Sequence, residues 1–219
     1  MFKIFVYFIF MISIYSETAW ISDFNEGLEK SKISTKPIFL NLYTDWCTYC
    51  KVLDKTVLPD EDVLGELEKF TTVKLNGDEN TPIIQKYNIK AYPSILILDK
   101  NGYLLEKIIG LTDVKSLISK MKSAYTRKDF EQELIDNQVK NSKKVEPNFK
   151  LGNFYYKNGN YKKAIDYFTL ANQSDSETPI EERSESLFLL GISLIQERKF
   201  SEATSVWKLF REKIGRAHV

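Results

Sequence analysis

The chain has 219 residues but only one histidine, two cysteines and almost no net charge. The histidine, His218, lies in residues 214–219, which resemble the translation of a sequencing adapter rather than a native tail, and we assign it no function. Two thiolates without a histidine cannot complete a four-ligand zinc site, although Cu(I) could accept two soft sulfurs. Lys and Arg number 31 against 30 Asp and Glu, which argues against a nucleic-acid-binding protein with its concentrated basic surface.

The first 15 residues are nearly all apolar or aromatic, and Lys3 and Ser13 are the interruptions. At about 1.5 Å per residue, this run is too short to cross a hydrocarbon core of about 30 Å comfortably. A lysine followed by a short apolar stretch is instead typical of a secretory signal peptide. We therefore predict that residues 1–19 are a signal peptide and that the protein is exported to the periplasm. An uncleaved N-terminal membrane anchor is the alternative.

The two cysteines lie together in the run Trp46-Cys47-Thr48-Tyr49-Cys50-Lys51, directly after the apolar segment Ile38–Tyr43. That segment predicts a strand buried on both faces, and a helix is predicted from Cys47 to about Val57. The first sulfur would then lie at a helix N-terminus, where unpaired N–H groups and the helix dipole favour the thiolate. The spacing keeps Cys50 close enough to close a small ring, which suits dithiol–disulfide exchange.

Helix and strand patterns alternate over residues 22–122, with parallel strands first and an antiparallel hairpin after them. Capping residues and proline mark most helix starts, and an Asn-Gly turn marks the hairpin. The predicted elements besides those above are a helix capped by Asp23 that runs to Ile33, a helix capped by Asp60, a strand Thr72–Asn76, a helix capped by Thr81 that runs to Tyr87, strands Ser94–Leu98 and Tyr103–Ile109 around Asn101-Gly102, and a helix capped by Thr112 that runs to about Tyr125.

This arrangement resembles the thioredoxin superfamily over residues 20–125, and most closely the periplasmic thioredoxin-like domain of the DsbD-type thiol:disulfide interchange proteins. The resemblance implies a thioredoxin fold, an α/β domain with a central mixed sheet flanked by helices. It rests on Tyr43-Thr44-Asp45-Trp46 before the Cys-x-x-Cys motif, Lys51 after it, Val73-Lys74-Leu75-Asn76, and the segment from Tyr87 to Ser94.

The resemblance also implies the site residues. Cys47 would be the exposed nucleophile and Cys50 the more buried resolving cysteine of a redox-active disulfide, Cys47–Cys50. Pro93 resembles the cis-proline that faces the disulfide and offers backbone hydrogen bonds to an extended substrate segment, with an ordinary trans turn as the alternative. Tyr92 stands where many thioredoxins carry a small or β-branched residue, so substrate preference is expected to differ.

A second departure concerns proton transfer. Thioredoxins usually carry a buried Asp six residues before the first cysteine, and Asn41 stands there in this chain. Asp54, one helical turn after Cys50, matches a Glu of the DsbD-type domain. We hypothesise that it assists deprotonation of Cys50, with a solvated helix carboxylate as the alternative. Lys74 is predicted to favour nearby anionic forms and Trp46 to shield the sulfurs, although both could be structural.

The second half of the chain has a different pattern. Residues 126–145 are polar and predict a linker, while residues 146–213 predict an all-α domain of about two tetratricopeptide (TPR) helical hairpins. The second copy of the pattern begins at Gly191, 39 residues after Gly152, against about 34 in the standard repeat. Small residues such as Gly152 and Ala164 would let two helices pack closely, with aromatic residues filling the gaps beside them. A generic helical hairpin is the alternative.

These observations predict an exported thiol–disulfide oxidoreductase, a reductase or isomerase rather than an oxidant, that uses no cofactor. Its partners would be disulfide-containing or dithiol proteins, with an electron donor that the sequence does not identify. A further protein partner would bind the TPR face. The alternative function is a TPR-based interaction protein in which the thioredoxin fold is only an adaptor. A purely structural role for the disulfide is disfavoured, because so small a ring constrains little of the unfolded chain.

Overall fold

The computed structural model describes residues 19–174 and 180–217, so the predicted signal peptide lies outside it except for Ala19. Within these ranges no helix has both the length and the apolar run that a membrane span needs. The strands are β1 (Ile38–Tyr43), β2 (Thr71–Asn76), β3 (Ser94–Leu98) and β4 (Leu104–Ile109). The helices are α1 (Phe24–Ser34), α2 (Thr48–Thr56), α3 (Glu61–Leu67), α4 (Thr81–Lys86), α5 (Val114–Tyr125), α6 (Phe130–Lys140), α7 (Val145–Lys157), α8 (Tyr161–Gln173), α9 (Ile180–Gln196) and α10 (Phe200–Ala217).

The four strands form one mixed sheet in the order β2-β1-β3-β4. Strand β1 pairs in parallel with β2 and antiparallel with β3, and β3 and β4 form the predicted hairpin. One apolar cluster lies on each face of this sheet, with Phe39 in one cluster and Leu40 in the other. Because β1 is covered on both faces, its apolar run is continuous rather than alternating. The thioredoxin fold expected from the sequence is therefore confirmed.

Two of the predicted helix caps are confirmed. The Asp23 carboxylate accepts a hydrogen bond from the backbone N–H of Glu26 at 2.8 Å. Asp60 accepts from the N–H groups of Asp62 and Val63 in the same way. Each carboxylate satisfies N–H groups that have no partner within the helix, which fixes where the helix begins.

Two other predicted caps are wrong by one residue. Asn80, not Thr81, precedes α4, and Thr81 is the first helical residue. Asp113, not Thr112, caps α5, and its carboxylate accepts from the N–H of Ser116 at 2.9 Å. In both places two adjacent residues are suited to capping, and propensity alone does not choose between them.

The structure differs from the sequence analysis over the predicted linker at residues 126–145, because α6 occupies its middle. Leu134 is buried in the core of the helical region. Glu131 is also buried, and it accepts hydrogen bonds from the Tyr155 hydroxyl at 2.8 Å and the Asn101 side-chain amide at 2.6 Å. The buried face of α6 therefore carries a charged residue, and this is why its sequence pattern indicated a solvated segment.

The last four helices form two hairpins, α7–α8 and α9–α10. In each hairpin a glycine of the first helix lies against an aromatic ring of the second. A Cβ atom on Gly152 would lie 2.7 Å from the ring of Phe168, and one on Gly191 would overlap the indole of Trp207. Each aromatic residue follows its glycine by 16 positions. The predicted packing of small residues against aromatic ones is confirmed, and it recurs in both hairpins.

The helical region contacts the turn between β3 and β4. The Tyr103 ring meets Phe154 edge-on at 5.1 Å, and the backbone N–H of Leu104 donates to the Asn158 side chain at 2.8 Å. Because Leu98 pairs with Ile38, this turn lies beyond the first residue of β1. The helical region therefore packs at the end of the sheet opposite to the end from which the chain enters the Cys-x-x-Cys motif.

Two glycine substitutions are expected to change stability in opposite directions. Gly152→Ala should lower the free energy of unfolding by about 1–3 kcal/mol, because its Cβ has no room beside Phe168. Gly65→Ala should raise it by about 0.5–1 kcal/mol, because Gly65 lies inside α3 with no atom within 4 Å of a new Cβ. Urea unfolding of both variants checks this. Equal effects of the two substitutions would contradict the packing described for the α7–α8 hairpin.

Candidate active site

The chain leaves β1 and places Cys47 at the N-cap of α2. Cys47 and Cys50 form a disulfide, with their Cα atoms 5.3 Å apart. The Cys47 sulfur also accepts a hydrogen bond from the backbone N–H of Cys50 at 3.0 Å. A sulfur in this position lies next to the free N–H groups and the positive end of the helix dipole. Both favour a thiolate once the disulfide is reduced.

The predicted difference in exposure between the two cysteines is not found in this disulfide form. Cys47 is 5% exposed and Cys50 is 3% exposed, so both are buried. The two sulfurs differ instead in their place on α2, because Cys47 caps the helix and Cys50 lies inside its first turn. The exposed residues around them include the aromatic residues Trp46 and Tyr49, at 68% and 63%. Most of the surface of Trp46 is exposed, and its role in shielding the sulfurs stays a prediction.

The peptide bond between Tyr92 and Pro93 is cis, which confirms the prediction made for this proline. Ser94, the next residue, pairs with Leu42 near the end of β1. This register places Pro93 at the same end of the sheet as the Cys-x-x-Cys motif. A role of Tyr92 and Pro93 in substrate binding stays a prediction.

Three residues that the sequence analysis selected, Asn41, Asp54 and Lys74, are in contact. The Lys74 ammonium donates to one oxygen of Asp54 at 2.7 Å, and the Asn41 side-chain amide donates to the other at 3.4 Å. Asn41 is 1% exposed, and its own side-chain oxygen is buried without a hydrogen-bond partner in the described part of the chain. The side chains of Lys74 and Asp54 are 27% and 30% exposed, so a proton on Asp54 can exchange with water.

Sequence reasoning missed Gly77 and Asp78, which follow β2. The Trp46 indole N–H donates to the Asp78 carboxylate at 3.0 Å, and the Trp46 and Tyr92 rings meet edge-on at 5.9 Å. A Cβ on Gly77 would overlap the Tyr92 hydroxyl, so the tyrosine ring lies against the glycine backbone. Tyr92 is larger than the residue that many thioredoxins carry before this proline. Gly77, which has no side chain, leaves room for its ring.

Two phenols near the site, those of Tyr92 and Tyr43, stay protonated at neutral pH. Burial raises the pKa of Tyr92, and the Asp78 carboxylate raises it further. Burial also raises the pKa of Tyr43, with further contributions from Asp45 and Glu79. Neither tyrosine is suited to act as a base here. Among the described residues there is no group of three or more His, Cys, Asp or Glu side chains arranged for a metal ion.

The mixed sheet, the disulfide at the start of α2 and the cis-proline together define a thioredoxin-like disulfide oxidoreductase domain. A family model described as thioredoxin-like matches residues 19–100. The thioredoxin of Rickettsia bellii is 32% identical over 96 residues, which are 43% of this chain and 85% of that protein. The chain belongs to the thioredoxin family.

The thiol:disulfide interchange protein DsbD of Campylobacter jejuni is 27% identical over 106 residues, which cover 47% of this chain. The match spans only 18% of that relative's length. Among solved structures, a thioredoxin from Thermus thermophilus matches with 17% identity and a TM-score of 0.47, over 51% of this chain and 91% of that one. The matching family model ends at residue 100, before the helical region begins.

Proposed function

We propose that this protein is a thiol–disulfide oxidoreductase that reduces or isomerises disulfides of partner proteins, with Cys47 as the nucleophile. The observation that carries this proposal is the place of the Cys47 sulfur, which caps α2 and accepts the N–H of Cys50 at 3.0 Å. A disulfide with only a structural role has no need of that position. Both cysteines are buried to a similar extent. The position of Cys47 at the helix cap is therefore the feature that distinguishes the two.

The reaction proceeds in two exchange steps from the reduced protein. The Cys47 thiolate attacks one sulfur of the partner disulfide, forms a mixed disulfide and releases the other partner sulfur as a thiolate. The Cys50 thiolate then attacks the Cys47 sulfur, which forms the Cys47–Cys50 disulfide and releases the second partner thiolate. The partner gains two electrons, and its two thiolates take up protons from Cys50 and from solvent.

Asp54 is the base proposed for Cys50. It lies one helical turn beyond Cys50 on α2, and Asn41, which stands at the usual place of the buried Asp, cannot accept a proton. The contacts from Lys74 and Asn41 fix the orientation of the Asp54 carboxylate. Its partial exposure gives the proton a way out to water. Asp54 therefore stands in for the missing Asp, with Lys74 as a positioning residue.

Asp54→Asn is expected to slow the second step by about tenfold or more, because a positioned base contributes on the order of 10²-fold or more to proton transfer. The first step should change little. Stopped-flow measurement of mixed-disulfide decay, across pH 5 to 9, separates the two steps. Asp166→Asn, an exposed carboxylate on α8, is the matched control. If Asp54→Asn decays at the wild-type rate over the whole pH range, the role of Asp54 as a base is refuted.

The helical region is proposed to be a TPR-like platform for a protein partner. The glycine–aromatic contact repeated in both hairpins supports this proposal. Exposed apolar residues on α9 and α10 support it too, namely Phe188 at 46% and Leu209 at 51%. Since this region packs at the far end of the sheet, a partner held there leaves the disulfide open. The apolar N-terminal run supports export to the periplasm.

The redox potential of the Cys47/Cys50 pair tests the direction of the reaction. Equilibration with glutathione buffers, followed by quantification of both forms, gives this potential directly. We expect a value near about −270 mV, as in reducing thioredoxins, and a value near about −120 mV would indicate an oxidant and contradict the proposal.

A further inference from the structure

The indole of Trp46 is an exposed aromatic surface that is held in place beside the disulfide. Its N–H is tied to the Asp78 carboxylate at 3.0 Å, and the Tyr92 ring meets it edge-on. The indole nevertheless remains 68% exposed. An aromatic ring that is fixed but uncovered can receive a side chain of a docking partner at little cost in entropy, and indole is the best aromatic partner for a cation.

One carboxylate binds the N–H of this ring, and two more adjoin Trp46 or that carboxylate in the sequence. Asp45 precedes Trp46, Asp78 binds its N–H, and Glu79 follows Asp78, and all three are exposed. The Asn76 side chain contacts two of these residues. Its amide donates to the Asp45 carboxylate at 3.3 Å, and its oxygen accepts the backbone N–H of Asp78 at 3.0 Å.

None of these three carboxylates forms an ion pair within residues 19–174 and 180–217. Lys74 is neutralised by Asp54 at 2.7 Å. Besides burial, which is the main cause, the charge of Asp78 raises the pKa of Tyr92 and the charge of Asp45 raises that of Tyr43. The face of the active site next to Trp46 is therefore both aromatic and negatively charged.

We propose that the site selects disulfides whose cysteines are flanked by Lys or Arg. A partner cysteine that reacts with Cys47 brings its neighbouring side chains to the level of Trp46, the residue next to the nucleophile. A cation there stacks on the indole face and lies within reach of the Asp78 carboxylate, whereas an acidic side chain is repelled. This inference rests on the proposed function and adds a substrate class to it.

The test uses two disulfide-linked peptide dimers that differ only in the charge of the residues flanking the cysteine, Lys-Ser-Cys-Lys and Glu-Ser-Cys-Glu, both with blocked ends. The reduced full chain is mixed with each dimer, and the second-order rate constant is measured. Each rate constant is divided by that of dithiothreitol with the same peptide, since flanking charges also change the intrinsic reactivity of a disulfide.

The normalised rate constant should be at least about tenfold higher for the Lys peptide at low ionic strength, and salt at about 0.5 M should reduce the difference to about twofold. Asp78→Asn keeps an acceptor for the Trp46 N–H but removes the charge, and it should lower the preference at least about threefold. Trp46→Leu should lower it as well. The remote Asp166→Asn should leave it unchanged.

Equal normalised rates for the two peptides would overturn the proposed selectivity, as would a preference that salt and Asp78→Asn leave unchanged. Failure of the proposed function would give a different result from failure of the selectivity. If the reduced chain attacks neither peptide and does not reduce insulin, the oxidoreductase proposal itself fails. If it reduces insulin and both peptides without preference, only the inferred substrate class is refuted.

Discussion

Cys47→Ser should abolish the reduction of insulin by dithiothreitol that this chain is expected to catalyse, with a loss of about 10³-fold or more. The serine hydroxyl is not ionised at neutral pH and cannot replace a thiolate in disulfide exchange, so the first step has no nucleophile. Turbidity of the precipitating insulin B chain reports the rate. Since Ser at position 47 can still cap α2, the fold should be preserved, and circular dichroism checks that it is.

Cys50→Ser is the matched variant and should fail at a different step. Its Cys47 can still attack, but the mixed disulfide has no resolving thiol, so a covalent adduct with the peptide or insulin substrate should accumulate. Mass spectrometry of the quenched reaction identifies the adduct and the sulfur that carries it. If Cys47→Ser forms the adduct and Cys50→Ser does not, the roles assigned to the two cysteines are reversed. If both variants retain insulin reduction, neither cysteine is the nucleophile.

Asp99 is expected to have a large effect on how the stability of the protein depends on pH. It is a buried carboxylate in the turn between β3 and β4. Its oxygen accepts the backbone N–H groups of Asn101 and Tyr103, each at 2.8 Å. Burial raises the pKa of Asp99 from 3.8 to about 6, these two hydrogen bonds oppose the shift, and the nearby charge of Glu131 adds to it. The two carboxylates lie where the sheet meets the helical region.

A raised pKa means that the folded protein holds a proton on Asp99 at pH values where the unfolded chain has lost it. The contribution of Asp99 to stability is therefore greatest below about pH 4, falls as the pH rises to about 6, and is constant above that. The fall is on the order of 3 kcal/mol, at about 1.36 kcal/mol for each pKa unit. Asp99→Asn keeps the acceptor oxygen and has no charge to lose.

Asp99→Asn should therefore be close to the wild type in stability near pH 4 and more stable by up to about 3 kcal/mol near pH 7.5. Urea unfolding at a series of pH values gives the difference between the two proteins, in which the titration of all other groups cancels. Asp166→Asn should show no such pH dependence. A stability difference between Asp99→Asn and the wild type that stays constant from pH 4 to pH 7.5 would show that Asp99 titrates normally in the folded state.

The sequence predicts most of the sheet because its strands are apolar runs bounded by residues with strong local preferences. Ile38–Tyr43 lies between Pro37 and the Cys-x-x-Cys motif, and Asn101-Gly102 marks the hairpin. Helix starts are predicted where a single acidic residue precedes the helix, as at Asp23. They are missed by one residue where two candidates adjoin, as at Thr112 and Asp113. Helix α6 is missed because its buried Glu131 is satisfied by residues distant in sequence.

At the candidate site, too, features set by local sequence are predicted and features set by contacts between distant residues are not. The cysteines and the cis-proline follow from local motifs, so the sequence is sufficient to find them. The contact of Asn41 and Lys74 with Asp54 depends on the register of β1 against β2 and on the rotation of α2, which no local pattern encodes. Gly77 gives no signal of its own, and its meaning is visible only when the Tyr92 ring is found lying on it. Tertiary contacts of this kind require the structure.

The thiol pKa of Cys47 in the reduced chain is the most direct test of the account. Thiolate absorbance at 240 nm across pH 4 to 10, combined with mass spectrometry of the residue that a limiting amount of iodoacetamide modifies, gives both the value and its assignment. We expect Cys47 to be modified first, with a pKa below about 7.5. A value near about 8.5 for Cys47, or first modification at Cys50, would contradict the claim that the start of α2 activates the first cysteine.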